Sequence, residues 1–152
     1  MKKTLLFLSL LVPVLSFSQA LNPVKWEATY SSLSANEGEI IITAKIEKGW
    51  HIYSQNIAPD AGPIPTTFNY TPGTNFELNG KTTEGNAHEV FDKAFDTKLL
   101  IFDDKAEFKQ KIKVKNTKGF STIIKLEFMT CNDMQCLPPK TIELNLNIIS
   151  KK

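Results

Sequence analysis

The chain has 152 residues, with 18 basic side chains against 16 acidic ones and a formal charge of +2. Every basic residue is lysine, so the bidentate guanidinium fork that reads phosphates and guanine is missing, and nucleic acid is not an expected partner. A length of this order, with 41% hydrophobic residues, can bury the core of one domain but leaves little room for a second.

The first residues read as an export signal. Lys2 and Lys3 form a basic start, Leu5 to Leu15 is an apolar run interrupted by Ser9 and Pro13, and Ser16-Phe17-Ser18 offers small residues at the positions a signal peptidase reads. We expect cleavage after Ser18, with Ala20 as the alternative, giving a signal peptide at 1–18 and one domain at 19–152. The apolar run is too short for a stable membrane anchor. No cysteine follows the cleavage region to carry a lipid. Removing Lys2 and Lys3 leaves 18 − 2 = 16 lysines against 16 acids, so the mature chain is expected to be neutral and exported.

Beyond the leader the chain reads as β-structure. Strands are expected at Val24 to Ser32, Glu39 to Ile46, Trp50 to Gln55, Thr66 to Tyr70 and Thr97 to Phe102. The pattern is clearest in three later segments. Phe108, Ile112 and Val114 alternate with lysines; Phe120, Ile124, Leu126 and Phe128 share one face; Ile142, Leu144, Leu146 and Ile148 share another. Ala35-Asn36-Glu37-Gly38, Thr71-Pro72-Gly73, Asn79-Gly80 and Asn116 to Gly119 supply turn chemistry between them. Short strands at this spacing, with no helical stripe, predict an all-β fold, an immunoglobulin-like antiparallel β-sandwich, with a barrel as the alternative. Ile57 to Pro65 reads as an extended crossover, and Lys81 to Lys93 as a long mobile loop.

The two cysteines, Cys131 and Cys136, lie in the turn before the last strand, as Cys131-Asn132-Asp133-Met134-Gln135-Cys136-Leu137-Pro138-Pro139. Export makes a disulfide chemically permissible. A bridge here would close a six-residue loop, worth about 2 kcal/mol on the loop-entropy model, a modest staple for a domain with a full core. The spacing also suits thiol–disulfide exchange, which needs one reachable sulfur and a second close enough to resolve the mixed disulfide. Pro138 and Pro139 cannot donate ladder hydrogen bonds and should keep that side of the turn open. Asp133, inside the loop, opposes thiolate formation by like charge. A redox pair and a permanent hairpin bridge both remain open on the residues themselves. A Cys2His2 metal set with His51 and His88 lacks the usual ligand spacing, and neither metal nor cofactor is expected.

The segment Met129 to Pro139 resembles the signature of the N-terminal periplasmic domain of the thiol–disulfide interchange protein DsbD, in its Cys-x4-Cys form. Lys48-Gly49-Trp50-His51-Ile52-Tyr53, Gly62-Pro63-Ile64-Pro65-Thr66-Thr67-Phe68 and Glu89-Val90-Phe91-Asp92 resemble further parts of that domain. The resemblance spans nearly all of the mature chain. It implies an immunoglobulin-like periplasmic domain of a protein-disulfide reductase system, linked to cytochrome c biogenesis. Such a domain takes electrons from a thioredoxin-like donor and reduces disulfide isomerases and related proteins. It further implies that Cys136 forms the mixed disulfide and Cys131 resolves it. Tyr53 and His51 would line the site, with His51 where some relatives carry tyrosine. A cap loop would fall around Thr82 to Glu89, bringing Glu84, His88 and Glu89 beside Asp133 and Pro138. With no Cys-x-x-Cys in the sequence, electrons are expected from another protein. The competing expectation, of another class, is a secreted non-catalytic binding module with a structural cystine, using Trp50, Tyr53, Phe68 and Tyr70 as an aromatic surface.

Overall fold

The structure, a computed structural model, describes residues 21–149; the expected signal peptide and both cleavage positions lie outside the described residues. Twelve strands follow in chain order: β1 (Val24–Ser32), β2 (Glu37–Ile46), β3 (Trp50–Tyr53), β4 (Thr67–Tyr70), β5 (Phe76–Leu78), β6 (Thr83–Glu84), β7 (His88–Asp92), β8 (Thr97–Asp103), β9 (Lys105–Val114), β10 (Phe120–Phe128), β11 (Thr130–Asn132) and β12 (Lys140–Ile148). All pair antiparallel. One sheet runs β1-β2-β9-β5, with β6 also on β9; a second runs β12-β10-β4; a third runs β11-β3-β8-β7. This is the expected all-β, immunoglobulin-like sandwich.

The first two sheets face each other because their alternating apolar residues have nowhere else to go. Ile40, Ile42, Phe108 and Ile112 from one side meet Ile124, Leu126, Phe128 and Leu146 from the other. Trp26 closes the edge of this core, its ring centroid 5.1 Å from that of Phe128 and 6.0 Å from that of Phe108. Phe108, Ile112, Val114, Ile124, Leu126, Phe128 and Leu146 are buried as their alternation predicts, while Leu144 is partly buried against the same core. Trp50, Phe68 and Tyr70 also pack there, and Tyr53 is fully buried, so they form no exposed aromatic surface.

One expectation is corrected and one strand is added. The stretch Lys81 to Lys93, read as a mobile loop, contributes β6 and β7 to two different sheets. The reason is visible in β7, where the only buried residue is the polar Asp92 and Val90 is only partly buried, so the strand carries no apolar alternation. Phe76–Leu78 also forms a strand, β5, that so short a segment did not announce.

The third sheet positions the site because it is used on both faces. Ile52 of β3 and Phe102 of β8 point into the main core. Their sequence neighbours, Tyr53 and Ile101, therefore point the other way, as the pleat requires, and with Leu99 and Cys131 they form a second, smaller apolar cluster.

Candidate functional site

Cys131 and Cys136 are joined by a disulfide, with Cα atoms 4.0 Å apart. They face each other as an antiparallel pair at the base of a tight turn. The turn is fixed locally by Asn132, whose Oδ1 accepts hydrogen bonds from the backbone N–H groups of Met134 (2.9 Å) and Gln135 (2.8 Å). Asn132 N donates to Gln135 O and Leu137 N to Thr130 O, each at 2.9 Å. An asparagine that bonds its own backbone two residues on is a standard turn device, so the loop is shaped by its sequence as well as by the bridge. Asp133 and Met134 occupy the exposed tip, and Met134 is 88% exposed. Pro138 and Pro139 are exposed, and β12 starts after them at Lys140.

The two sulfur-bearing residues are not equivalent. Cys131 is 0% exposed, inside the cluster with Tyr53, Leu99 and Ile101. Cys136 is partly exposed and lies against the outside of that cluster. Val90 of β7 and Phe95, which follows it, also pack on this cluster. Phe95 sits at right angles to Tyr53, with ring centroids 6.1 Å apart, and rests on Gly62, where any Cβ would overlap its ring. Gly62 also has φ +105°, a conformation that other residues seldom adopt.

A polar array lies on the same face of the third sheet. His51 is the register partner of Cys131 across β3 and β11, and of Asp103 across β3 and β8. The Tyr53 hydroxyl donates to Asp92 Oδ2 at 2.7 Å, and His51 Nε2 lies 3.2 Å from the same hydroxyl and 3.7 Å from that oxygen. Asp92 is buried, and its other oxygen, Oδ1, accepts from Ala94 N (2.8 Å) and Phe95 N (3.3 Å). Burial pushes the His51 ionisation below its ordinary 6.5, outweighing the upward pull of Asp92, Asp133 and Asp103. The Tyr53 phenol is pushed up, first by burial and then by its bond to Asp92. An adjoining cleft of about 380 Å³ is lined by His51, Phe91, Asp92, Lys93, Asp133 and Met134, among others.

Of the residues expected around the pair, the structure brings Tyr53, His51 and Asp133 to it. Glu84 is placed elsewhere. Its carboxylate accepts from Ser54 Oγ, Gln55 N (3.0 Å) and Asn56 Nδ2 (2.6 Å), tying β6 to the end of β3. His88 is exposed and lies 3.6 Å from Asp103, and Glu89 pairs with Lys98 at 2.8 Å on the surface. Among the described residues no group of three or more His, Cys, Asp or Glu is placed to hold a metal ion. Asp92, noted in the sequence only as part of the Glu89-to-Asp92 resemblance, and Phe95, not singled out at all, join the site. Both depend on a contact with Tyr53, about 40 residues away in the chain, and no local spacing announces that.

Comparison with known proteins agrees with this fold. The sequence model of the family "Thiol:disulfide interchange protein DsbD, N-terminal" matches residues 18–148. No curated protein sequence matches the chain. Among solved structures, the N-terminal periplasmic domain of ScsB from Proteus mirabilis is similar with TM-score 0.59 and 19% identity, over 83% of this chain and 47% of that one. The reduced DsbD N-terminal domain of Neisseria meningitidis gives TM-score 0.52 and 13% identity, over 78% and 82%. The same organism's complex between the DsbD and PilB N-terminal domains gives 0.51 and 12%, over 79% and 80%.

Proposed function

This chain belongs to the family of DsbD N-terminal domains, and we propose that it is a periplasmic thiol–disulfide exchange domain that relays electrons through Cys131 and Cys136. In this reading a thioredoxin-like donor reduces the Cys131–Cys136 disulfide, and the dithiol then reduces oxidised exported proteins, disulfide isomerases among them. The observation that carries it is the asymmetry of the pair: one sulfur-bearing residue partly exposed at a turn, the other fully buried behind it. Exchange needs that arrangement, because attack must reach one sulfur while the second waits to resolve the mixed disulfide. A bridge serving only as a staple has no use for it.

The supporting relatives are described as periplasmic or as N-terminal domains of DsbD, and one was solved in complex with the PilB N-terminal domain. Cys136 is assigned the mixed disulfide and Cys131 its resolution. Tyr53, His51, Asp133 and Pro138 are assigned to the lining of the site. The covering role expected of a cap is assigned to Val90 and Phe95, which pack on the pair's cluster. Titration of the purified domain against glutathione tests the reading. A midpoint in the range of periplasmic oxidoreductases, above about −300 mV, is expected. A potential below that value would leave a structural bridge and remove the relay.

A further inference from the structure

We propose that His51 is the acid–base residue for Cys131, held for that task by the chain His51–Tyr53–Asp92. The inference rests on the exchange reading above and adds to it the group that moves the proton. Three observations lead to it.

The first is position. His51 and Cys131 are direct partners in the antiparallel register of β3 and β11. Residues directly opposite on antiparallel strands share a face, with Cβ atoms about 4.5–5.5 Å apart. An imidazole and a thiol attached at that separation can meet.

The second is need. Cys131 is fully buried, with Tyr53, Leu99 and Ile101 around it. A bare thiolate is disfavoured in such surroundings, yet the resolving step requires one.

The third is the hydrogen-bond chain, which selects the tautomer. Both oxygens of Asp92 act as acceptors, Oδ1 for two backbone N–H groups and Oδ2 for the Tyr53 hydroxyl. The single phenolic proton is thus committed to Asp92, and the Tyr53 oxygen can only accept from its other neighbour, His51 Nε2. In the neutral ring the proton then sits on Nε2 and the lone pair on Nδ1, which has no hydrogen-bond partner among the described residues. His51 is consequently a pre-oriented base. Its ionisation lies below 6.5, which keeps it neutral near pH 7 and able to take a proton. The charged or titratable groups that face it are Asp92 from β7, Asp103 from β8, Asp133 from the cysteine turn and Tyr53 on its own strand. His88 is engaged with Asp103, and Lys93 stands at the cleft.

The step balances as follows. A target disulfide has been opened by Cys136, leaving Cys136 joined to one target sulfur. His51 Nδ1 takes the proton of the Cys131 thiol. The thiolate attacks Cys136 Sγ, the bond from Cys136 to the target sulfur breaks, and its electron pair leaves on that sulfur as a thiolate. The Cys131–Cys136 bond re-forms, the target has gained two electrons, and the proton on His51 passes to the departing thiolate. In the opposite direction His51 takes the proton of the donor thiol, the donor thiolate attacks Cys136 Sγ and expels Cys131 as a thiolate, and the ring passes that same proton on to Cys131.

Oxidised glutathione serves as the probe. The reduced protein is mixed with it, and closure of the Cys136–glutathione mixed disulfide is followed by acid quench and mass spectrometry between pH 5.5 and 8.5. With a base in place the wild-type rate should be flat between the His51 ionisation and that of the thiol. In His51→Gln, which retains an N–H for Tyr53 but no base, it should rise about tenfold per pH unit. An ordinary thiol is only about 3% ionised at pH 7, so closure in the variant should be roughly ten- to thirtyfold slower there. Superimposable profiles would overturn the proposal. Nitrogen chemical shifts of the His51 ring in the reduced wild-type protein give a reading that does not depend on the variant folding. The Nε2–H tautomer is expected, and an Nδ1–H tautomer would overturn it. Because glutathione replaces the protein partner, a domain that shows the flat profile but reacts with no thioredoxin-like protein would end the relay reading while supporting this one.

Discussion

Tyr53 and Asp92 are 39 residues apart in the chain and share a buried hydrogen bond of 2.7 Å behind the disulfide. The bond joins β3 to β7, strands that are not neighbours in their sheet, since β8 lies between them. Asp92 also accepts from Ala94 N and Phe95 N, so the same carboxylate that holds the phenol shapes the segment whose Phe95 ring packs on Tyr53.

Removing that carboxylate should therefore be felt in the whole fold. Asp92→Ala leaves a fully buried phenol without its acceptor, a loss of about 1–3 kcal/mol, with the two backbone donors adding to it. Asp92→Asn keeps an acceptor oxygen and should lose less. Urea denaturation of the three proteins reads the difference, and an Asp92→Ala midpoint equal to wild type would show that the bond contributes nothing.

The division of labour between the sulfurs gives a second expectation. Cys131→Ser leaves the partly exposed Cys136 unable to be resolved, so mixed disulfides with thioredoxin-like partners should accumulate through it. Cys136→Ser leaves a buried thiol and should trap far less. Non-reducing gels of each variant expressed in the periplasm report the adducts. Equal trapping by both would remove the role assignment, and trapping by neither would favour a static bridge.

Stability should respond to pH at both ends of the scale. His51 is pushed below its ordinary 6.5 chiefly by burial, so as the pH falls the unfolded chain takes up the proton first. Stability present above about 6.5 is then lost as the pH drops through the folded value, and His51→Gln should flatten this acid limb. Tyr70, whose hydroxyl meets Thr82 Oγ1 at 3.1 Å, is pushed up from 10.0 to about 12, again chiefly by burial. Its contribution is complete below pH 10 and lost as the pH rises toward 12, and Tyr70→Phe should remove that loss. Denaturant midpoints across pH check both limbs, and unchanged slopes in either variant would contradict the corresponding assignment.

Much of this molecule is legible in the linear chain. Phe108, Ile112, Ile124 and Leu126 alternate with polar residues, and a period of two admits one buried face whatever the strands pair with. The cysteine turn is also local. Its asparagine, its two sulfurs and the following prolines act on their own neighbours, which is why the motif could be compared with a family before any fold was known. What only the tertiary structure decided is where distant residues meet. Lys81 to Lys93 carries no apolar alternation, because the one buried residue of β7 is Asp92, and a buried carboxylate is tolerable only when partners such as Tyr53 satisfy it. Glu84, expected near the cysteines, instead binds the end of β3. Which cysteine is buried, and that His51 stands opposite it, follow from the pairing of β3 with β11, a register set across some 80 residues of chain. Local spacing determines which face a side chain takes, but its neighbour on that face is chosen by strand pairing, and strand pairing is settled by the packing of the whole sandwich.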